Sequence, residues 1–269
     1  MTRGQPEPVD ETALAGGMGS GGAVVRVGDT VRRPIRPHSA AVQAFLRHLE
    51  AVGFAGAPRF LGIDEQGREV LSWIDGDVGL PPYPAWVGGD DLLRSVARLQ
   101  RQLHEAARTF SPPPDAAWDR ANLPDPGSHA IVCHNDLCVE NVVVRDGRAV
   151  AFIDFDFAAP SDPLLDIAIA ARHWIPIRDP VDVDRELGGL DQLARFRAFC
   201  DEHALDRRAR RTVVDHLGPF LDRALVSMRL RAESGLEAYR RAWDAGYPAQ
   251  NRRSRAWLDR HASDLVGRS

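Results

Sequence analysis

The chain reads as an α+β protein of two lobes, a small antiparallel β lobe followed by a larger, mostly helical one. Short β-type runs crowd the first 76 residues, with a single helical stretch among them. Long amphipathic stretches dominate after residue 163. Between these regions lies one compact polar segment, His134 to Asp156, where two apolar runs flank an Asp146-Gly147 turn. The expected division is 1–76 and 77–269.

The N-terminal lobe begins with a polar, proline-bearing stretch over 1–11, expected to be frayed. Gly16, Gly17, Gly19, Gly21 and Gly22 then precede a strand at Val24 to Val27. Gly28-Asp29 turns the chain into a second strand, Thr30 to Arg33, which Pro34 stops. Glycine lets backbone N–H groups approach phosphates closely. Ser39 to Val52 reads as a helix capped by Ser39, with Val42, Phe45, Leu46 and Leu49 on its apolar face and Gly53 past its end. Phe60 to Ile63 and Glu69 to Ile74 are two more strands around a Gln66-Gly67 turn. Asp75-Gly76-Asp77 then breaks the pattern, and a hinge is expected over Ser72 to Gly76.

Leu80 to Gly89 is a proline-rich connector without regular structure. Asp90 to Thr109 is amphipathic, with Leu92, Leu93, Val96, Leu99 and Leu103 on one face. Residues 116–130 are loop-like. Beyond the central segment, Asp162 is placed to cap a helix that starts at Pro163. Further helices are expected at Leu190 to His203, Asp206 to Glu233, Leu236 to Ala245 and Ser254 to Val266.

The chemistry concentrates in the central segment. Val142–Val144 and Ala149–Ile153, joined by Asp-Gly, predict a hairpin that brings Asn141 close to Asp154. A carboxylate and an amide at strand ends suit Mg²⁺, a hard cation that takes oxygen ligands and shares them with substrate phosphates. Asp136, just upstream, is placed to accept a proton from an attacking hydroxyl. One aspartate base with an asparagine and an aspartate on metal is what phosphoryl transfer needs.

H-x-D-x-x-x-x-N, here His134, Asp136 and Asn141, followed by I-D-F-D at 153–156, resembles the catalytic core of the aminoglycoside phosphotransferase and choline kinase superfamily. The resemblance implies a protein-kinase-like fold and an activity that moves the γ-phosphate of ATP or GTP to a hydroxyl of a small molecule, an antibiotic being one such acceptor. It implies Asp136 as the catalytic residue, and Asn141 and Asp154 as ligands of Mg²⁺. Asp156 is a further acid beside the metal or behind it. The glycine segment, at Gly19, Ser20 and Gly21, would cover the nucleotide phosphates, and Ser72 and Ile74 at the hinge would meet an adenine edge. In this superfamily a strand lysine touches the phosphates and pairs with a helix glutamate. This chain contains no lysine and offers Arg32 and Arg33 on that strand, of which alternation lets one, Arg33, face the cleft. Val42, Gln43 and Ala44 stand where the glutamate is expected, and Glu50 is a distant substitute. PLLDIA at 163–168 resembles the family's P-x-x-D-L/I-A stretch, which implies that Asp166 bonds back to the catalytic loop. His104 resembles the histidine at the family's L-x-x-L-H helix end.

A net charge of −4 gives no electrostatic case for a nucleic-acid or membrane partner, so the expected partners are a nucleotide and a small acceptor. Cys133, Cys138 and Cys200 lack metal-type spacing and read as reduced thiols. With no signal-peptide pattern and no long apolar run, a cytoplasmic location is expected. Acidic residues of the last helices are scattered among arginines, which does not make the acidic patch that a polycationic aminoglycoside requires. Two other readings fit the residues. Without a lysine–glutamate pair, the chain resembles a non-catalytic or weakly catalytic branch of the trifolitoxin-immunity kind. Asp136, Asp154 and Asp156 alone also fit a metal hydrolase, which leaves the glycine segment and hinge unexplained.

Overall fold

The computed structural model describes residues 11–14 and 23–267. Gly16 to Gly22 lie outside the described residues, and with them the expected roles of Gly19, Ser20 and Gly21.

A five-stranded antiparallel sheet, in the order β1-β2-β3-β5-β4, is built from β1 (Thr12–Ala13), β2 (Val25–Val27), β3 (Thr30–Pro34), β4 (Phe60–Ile63) and β5 (Arg68–Ser72). Antiparallel pairing of β3 with β5 sets Val31 opposite Leu71, Arg32 opposite Val70 and Arg33 opposite Glu69. Because strand side chains alternate, Arg33 and Glu69 share the face of buried Leu71. Arg32 faces the other way, toward Asp64 at 3.5 Å. Between β3 and β4 runs α1 (Ser39–Ala51), whose Val42, Phe45, Leu46 and Leu49 are buried. Ser39 is the first residue of the helix rather than its cap. Its hydroxyl accepts from Arg36 N at 2.9 Å, closing the entry turn.

α1 is also bound to the helical part. His48 Nε2 lies 2.9 Å from Ala106 O, and Phe45 packs on Phe110 and Phe155 with ring centroids 5.1 and 6.2 Å apart. Gly56 carries Phe152 N on its carbonyl at 2.9 Å. A Cβ at Gly56 would lie 2.7 Å from the end of the Leu99 side chain, so glycine lets this loop settle closely on Leu99. One hydrophobic core therefore runs from α1 to the last helix.

β5 stops at Ser72, two residues before the expected end. Rather than simply breaking the pattern, Asp77–Val78 forms β6, which pairs with Val144 and Val143 of the next sheet. The connector at 80–89 contains a 3₁₀ turn, Ala85–Gly88, ahead of α2 (Asp90–Ala107). β7 (Ile131–Cys133) pairs with β10 (Ala159–Ser161), and β8 (Val142–Arg145) pairs with β9 (Arg148–Phe152). Asp146 and Gly147 both have positive φ, 52° and 70°, which is the backbone of a type I′ hairpin turn.

The helical part is α3 (Pro163–Trp174), α4 (Gln192–Glu202), α5 (Arg207–Glu233), α6 (Glu237–Asp244) and α7 (Tyr247–Val266). Asp162 caps α3, accepting from Leu164 N at 2.9 Å, and Asp191 and Asp206 cap α4 and α5 likewise. α7 begins seven residues before the expected Ser254. Pro248 sits in its first turn, where a missing N–H costs nothing, and the polar run behind it carries little apolar periodicity to announce a helix.

Candidate active site

The loop after β7 is held in an uncommon conformation. Asn135 has φ 61°, a left-handed backbone that costs a non-glycine residue free energy unless its surroundings compensate. Here they do. Asn135 N donates to Asp166 Oδ1 at 2.6 Å. Its Nδ2 donates to the carbonyls of Cys133, Phe157 and Ala159, each at 3.1 Å, and Ser161 Oγ donates to its Oδ1 at 2.6 Å. Asp166, fully buried, also accepts from Gln100 Nε2 at 2.8 Å and pairs with His104 Nε2 at 2.7 Å. Burial alone would raise the Asp166 carboxyl; the hydrogen bond and charge of His104, with Gln100, hold it below the usual carboxylate range. Asp166 and His104 thus act by bonding under the loop.

His104, Cys133 and Asp166 also lie within 4.8 Å of one another, a metal-like grouping. Burial pushes the Cys133 thiol well up, so it stays protonated, and Asp166 is already saturated by hydrogen bonds. The grouping is a buried polar brace rather than a metal centre.

The strained Asn135 presents Asp136 beyond it. Asn141 Nδ2 donates to Asp136 O at 2.8 Å and to Asp136 Oδ2 at 3.0 Å, which commits its nitrogen and leaves its amide oxygen for a cation. Ile153 N donates to Asn141 O at 2.9 Å, so the hairpin closes Asn141 against the residue before Asp154. Asp154 has φ 59° and ψ 66°, again left-handed. Burial, with the Asp154 charge second, pushes the Asp136 carboxyl up to about 8. Burial and Asp156 raise Asp154 as well. A carboxylate raised by burial and by the charge of a second one beside it makes a half-buried, oxygen-rich, cation-seeking site. His134 takes no part in this. It is fully buried, with Nε2 3.0 Å from Ile153 O and its ring 4.5 Å from that of Phe155, and burial pushes it down to about 4.

Arg33 enters the same cluster from β3. Its guanidinium pairs with Glu69, lies 2.8 Å from Asp156 and 3.5 Å from Asp154. Burial pulls its pKa down, but the charges of Asp156, Glu69 and Asp154 outweigh that and keep it above the ordinary value. Arg36 at 3.3 Å and His38 at 3.8 Å also reach Asp156, which they and Arg33 hold below the usual range against the opposing pull of burial.

Sequence reasoning missed Glu69. The expected glutamate was sought on α1, where the inward positions are instead apolar and pack on Phe155. The carboxylate comes from the neighbouring strand, fully buried, through the cross-strand register of Arg33 with Glu69. Only that register could have revealed it. Glu50 pairs at 3.9 Å with Arg59 on the surface and is not the partner.

Ser72 and Ile74 are not drawn into the acid cluster. With Trp73 they line a cavity of about 390 Å³ whose other walls include Leu46, Leu49 and Phe54. Ser72 N donates to Arg59 O and Ser72 Oγ accepts from Arg59 N, both at 2.9 Å, so this residue is committed within the sheet. Trp73 N donates to Asp29 O at 2.9 Å, and Arg26 stacks over the Trp73 ring at 4.0 Å. The Ile74 amide makes no backbone hydrogen bond among the described residues.

A five-stranded antiparallel sheet with one helix, a loop carrying Asp136 and Asn141, and a hairpin ending at Asp154 define a kinase-like phosphotransferase fold. Comparison with known proteins agrees. A family model described as "Phosphotransferase enzyme family" matches residues 115–199. The chain is 35% identical over 220 residues to the trifolitoxin immunity protein of Rhizobium leguminosarum bv. trifolii, a match covering 78% of this chain and 80% of that one. Its fold is similar to that of a choline/ethanolamine kinase family protein from Mesorhizobium loti, at 16% identity and TM-score 0.59 over 96% of this chain and 92% of that one. It is also similar to that of amicoumacin kinase hAmiN, solved in complex with AMP-PNP, Ca²⁺ and Ami, at 12% identity and TM-score 0.65 over 96% and 90%. The chain belongs to the same family as the trifolitoxin immunity protein, its residues 115–199 match the phosphotransferase enzyme family, and it shares its fold with the choline/ethanolamine kinase family protein and amicoumacin kinase structures.

Proposed function

We propose that this protein moves the γ-phosphoryl group of ATP or GTP to a hydroxyl of a small molecule in the cytoplasm. The observation that carries the reading is the double hydrogen bond of Asn141 Nδ2 to Asp136, beside Asp154, at the end of one hairpin. Asp136 takes or orients the hydroxyl proton. Asn141 Oδ1 and Asp154 would hold Mg²⁺, which when bound neutralises phosphate charge and the charge that raises Asp136. Arg33, fixed by Glu69, supplies a cation for the phosphates, bidentate where a lysine would be a point charge. Gly19, Ser20 and Gly21 would cover those phosphates, and Ile74, with Ser72 beside it, would meet the base edge.

Purified protein is tested for ATP and GTP binding with and without Mg²⁺ by calorimetry. Asp154→Ala is expected to lose the Mg²⁺-dependent part of binding; an unaltered affinity moves the metal elsewhere. Asp136→Ala is expected to keep nucleotide affinity and lose turnover by about 10³-fold, across an acceptor screen of antibiotics and small alcohols. Unchanged turnover removes Asp136 as the base.

A second reading, a weakly catalytic or non-catalytic immunity protein, has its own support. The 35% identical relative is an immunity protein, and Arg33 is already ion-paired to the acids that would receive the metal. Absence of binding by either nucleotide at millimolar concentration favours it.

A further inference from the structure

The helical side of Asp136 carries a cation without a carboxylate in ion-pair contact. The last turn of α3 abuts the catalytic loop, since Trp174 Nε1 donates to Leu137 O at 3.1 Å. Arg172 lies in that turn, half-buried, and its charge reaches Asp136. Among the described residues no carboxylate lies within 4.0 Å of Arg172. Its nearest polar neighbour is His173, at 3.4 Å from NH1 to Nε2, and its guanidinium sits 6.0 Å from the Phe220 ring. His173 supplies no countercharge: burial, with Arg172 and Arg178, drives its pKa well down and keeps the ring neutral. Arg178, on the segment after α3, adds a second cation whose own acid, Asp184, is as far as 3.8 Å away. Tyr247, at the start of α7, lies within electrostatic reach of Arg172, and buried Tyr239 of α6 within reach of Asp136.

Three other arginines that enter the interior are matched by carboxylates, and half-buried Arg120 and Arg223 are answered by backbone carbonyls. Arg195 meets Asp90 at 2.8 Å, Arg231 meets Asp119 at 2.9 Å, and Arg33 meets three acids. A half-buried guanidinium left unmatched is costly unless something completes it. Any hydroxyl that reaches Asp136 brings the rest of its molecule within electrostatic reach of Arg172.

We propose that the acceptor carries a negative group, a carboxylate or a phosphate, close to its reacting hydroxyl, and that Arg172, with Arg178 behind it, is the counter-ion that selects it. This rests on the phosphotransfer reading for the role of Asp136. A guanidinium grips either oxyanion through two parallel N–H groups. The same charge repels a polycationic acceptor.

The test uses four small alcohols that differ in charge: glycerate, glycerol 3-phosphate, glycerol and ethanolamine. With Mg²⁺ and the nucleotide that binds, kcat/KM is expected to be about tenfold or more higher for an anionic acceptor than for glycerol or ethanolamine. Glycerate against glycerol 3-phosphate separates carboxylate from phosphate. Arg172→Gln is expected to erase that preference chiefly through KM, and Arg172→Lys to restore part of it. Thermal shifts with the same four compounds, without nucleotide, report the anion site by itself; the anions should raise Tm in the wild type and not in Arg172→Gln. Arg178→Gln, expected to halve the effect or more, serves if Arg172→Gln does not fold. Equal or better use of ethanolamine, or anion shifts that survive loss of both arginines, overturns the proposal. Anion shifts that depend on Arg172 in a protein that binds no nucleotide would overturn the phosphotransfer reading and keep the anion site.

Discussion

Asp136 sits between two differently built halves of one cleft. On the β3 side, the protein supplies both signs of charge. Arg33 meets Glu69, Asp154 and Asp156, and Asp156 meets Arg36 and His38 in turn. On the α3 side, Arg172 and Arg178 crowd a neutral His173 with no carboxylate close to Arg172. The first half is organised in advance and a ligand must compete for its charges. The second is organised by repulsion, and a ligand relieves it. The electrostatics of a site are read from which of its charges the protein has already answered.

The largest expected effect falls on the pre-organised half. Glu69 is fully buried, so Glu69→Ala strips Arg33 of its closest partner inside the protein. A loss of about 3 kcal/mol is expected by denaturant unfolding, at the low end for a buried pair because Asp156 remains. A loss below about 0.5 kcal/mol would mean that the two halves are not differently built.

A smaller effect tests the base beneath both. His203 packs on His104, the partner of Asp166, with ring centroids 6.4 Å apart, and burial pushes its pKa down to about 3. The unfolded chain protonates this ring below about 6.5 while the folded protein does not, so its stabilising contribution is full above that pH and lost as pH falls toward 3. Between pH 7 and pH 5 the wild type should lose about 2 kcal/mol more than His203→Gln. Parallel pH–stability curves would show that His203 is not held neutral.

The smallest effect belongs to the unmatched half. Arg172→Gln removes a charge that no carboxylate within 4.0 Å among the described residues answers, so its unfolding free energy should stay within about 0.5 kcal/mol of the wild type or rise. A loss comparable to that of Glu69→Ala would mean that Arg172 is a structural member of the α3 turn.

How much of this was legible varies with distance along the chain. His134, Asp136, Asn141 and Asp154 were readable because a type I′ hairpin with a two-residue turn leaves little freedom in where its ends go. Strand alternation said that one of Arg32 and Arg33 turns inward, the family's lysine position favoured Arg33, and the register sets Arg33 opposite buried Glu69. Asn135 was not legible. Nothing local distinguishes it from a turn residue, and its left-handed backbone is sustained by groups from β7, β10, α3 and the segment before β10.

By itself, then, the sequence determined the local pieces: the helix faces, the aspartate caps, the hairpin and the order of acids along it. Each depends on contacts between residues a few positions apart, which propensity and turn chemistry specify directly. Tertiary structure alone decided the partners of the charges. Glu69 became the mate of Arg33 through a strand register spanning 36 residues, and the last turn of α3, which carries Arg172, came to lie against the loop of Asp136 through the bond of Trp174 to Leu137. A charge's cost or benefit depends on distance and burial, and neither is encoded by position along the chain.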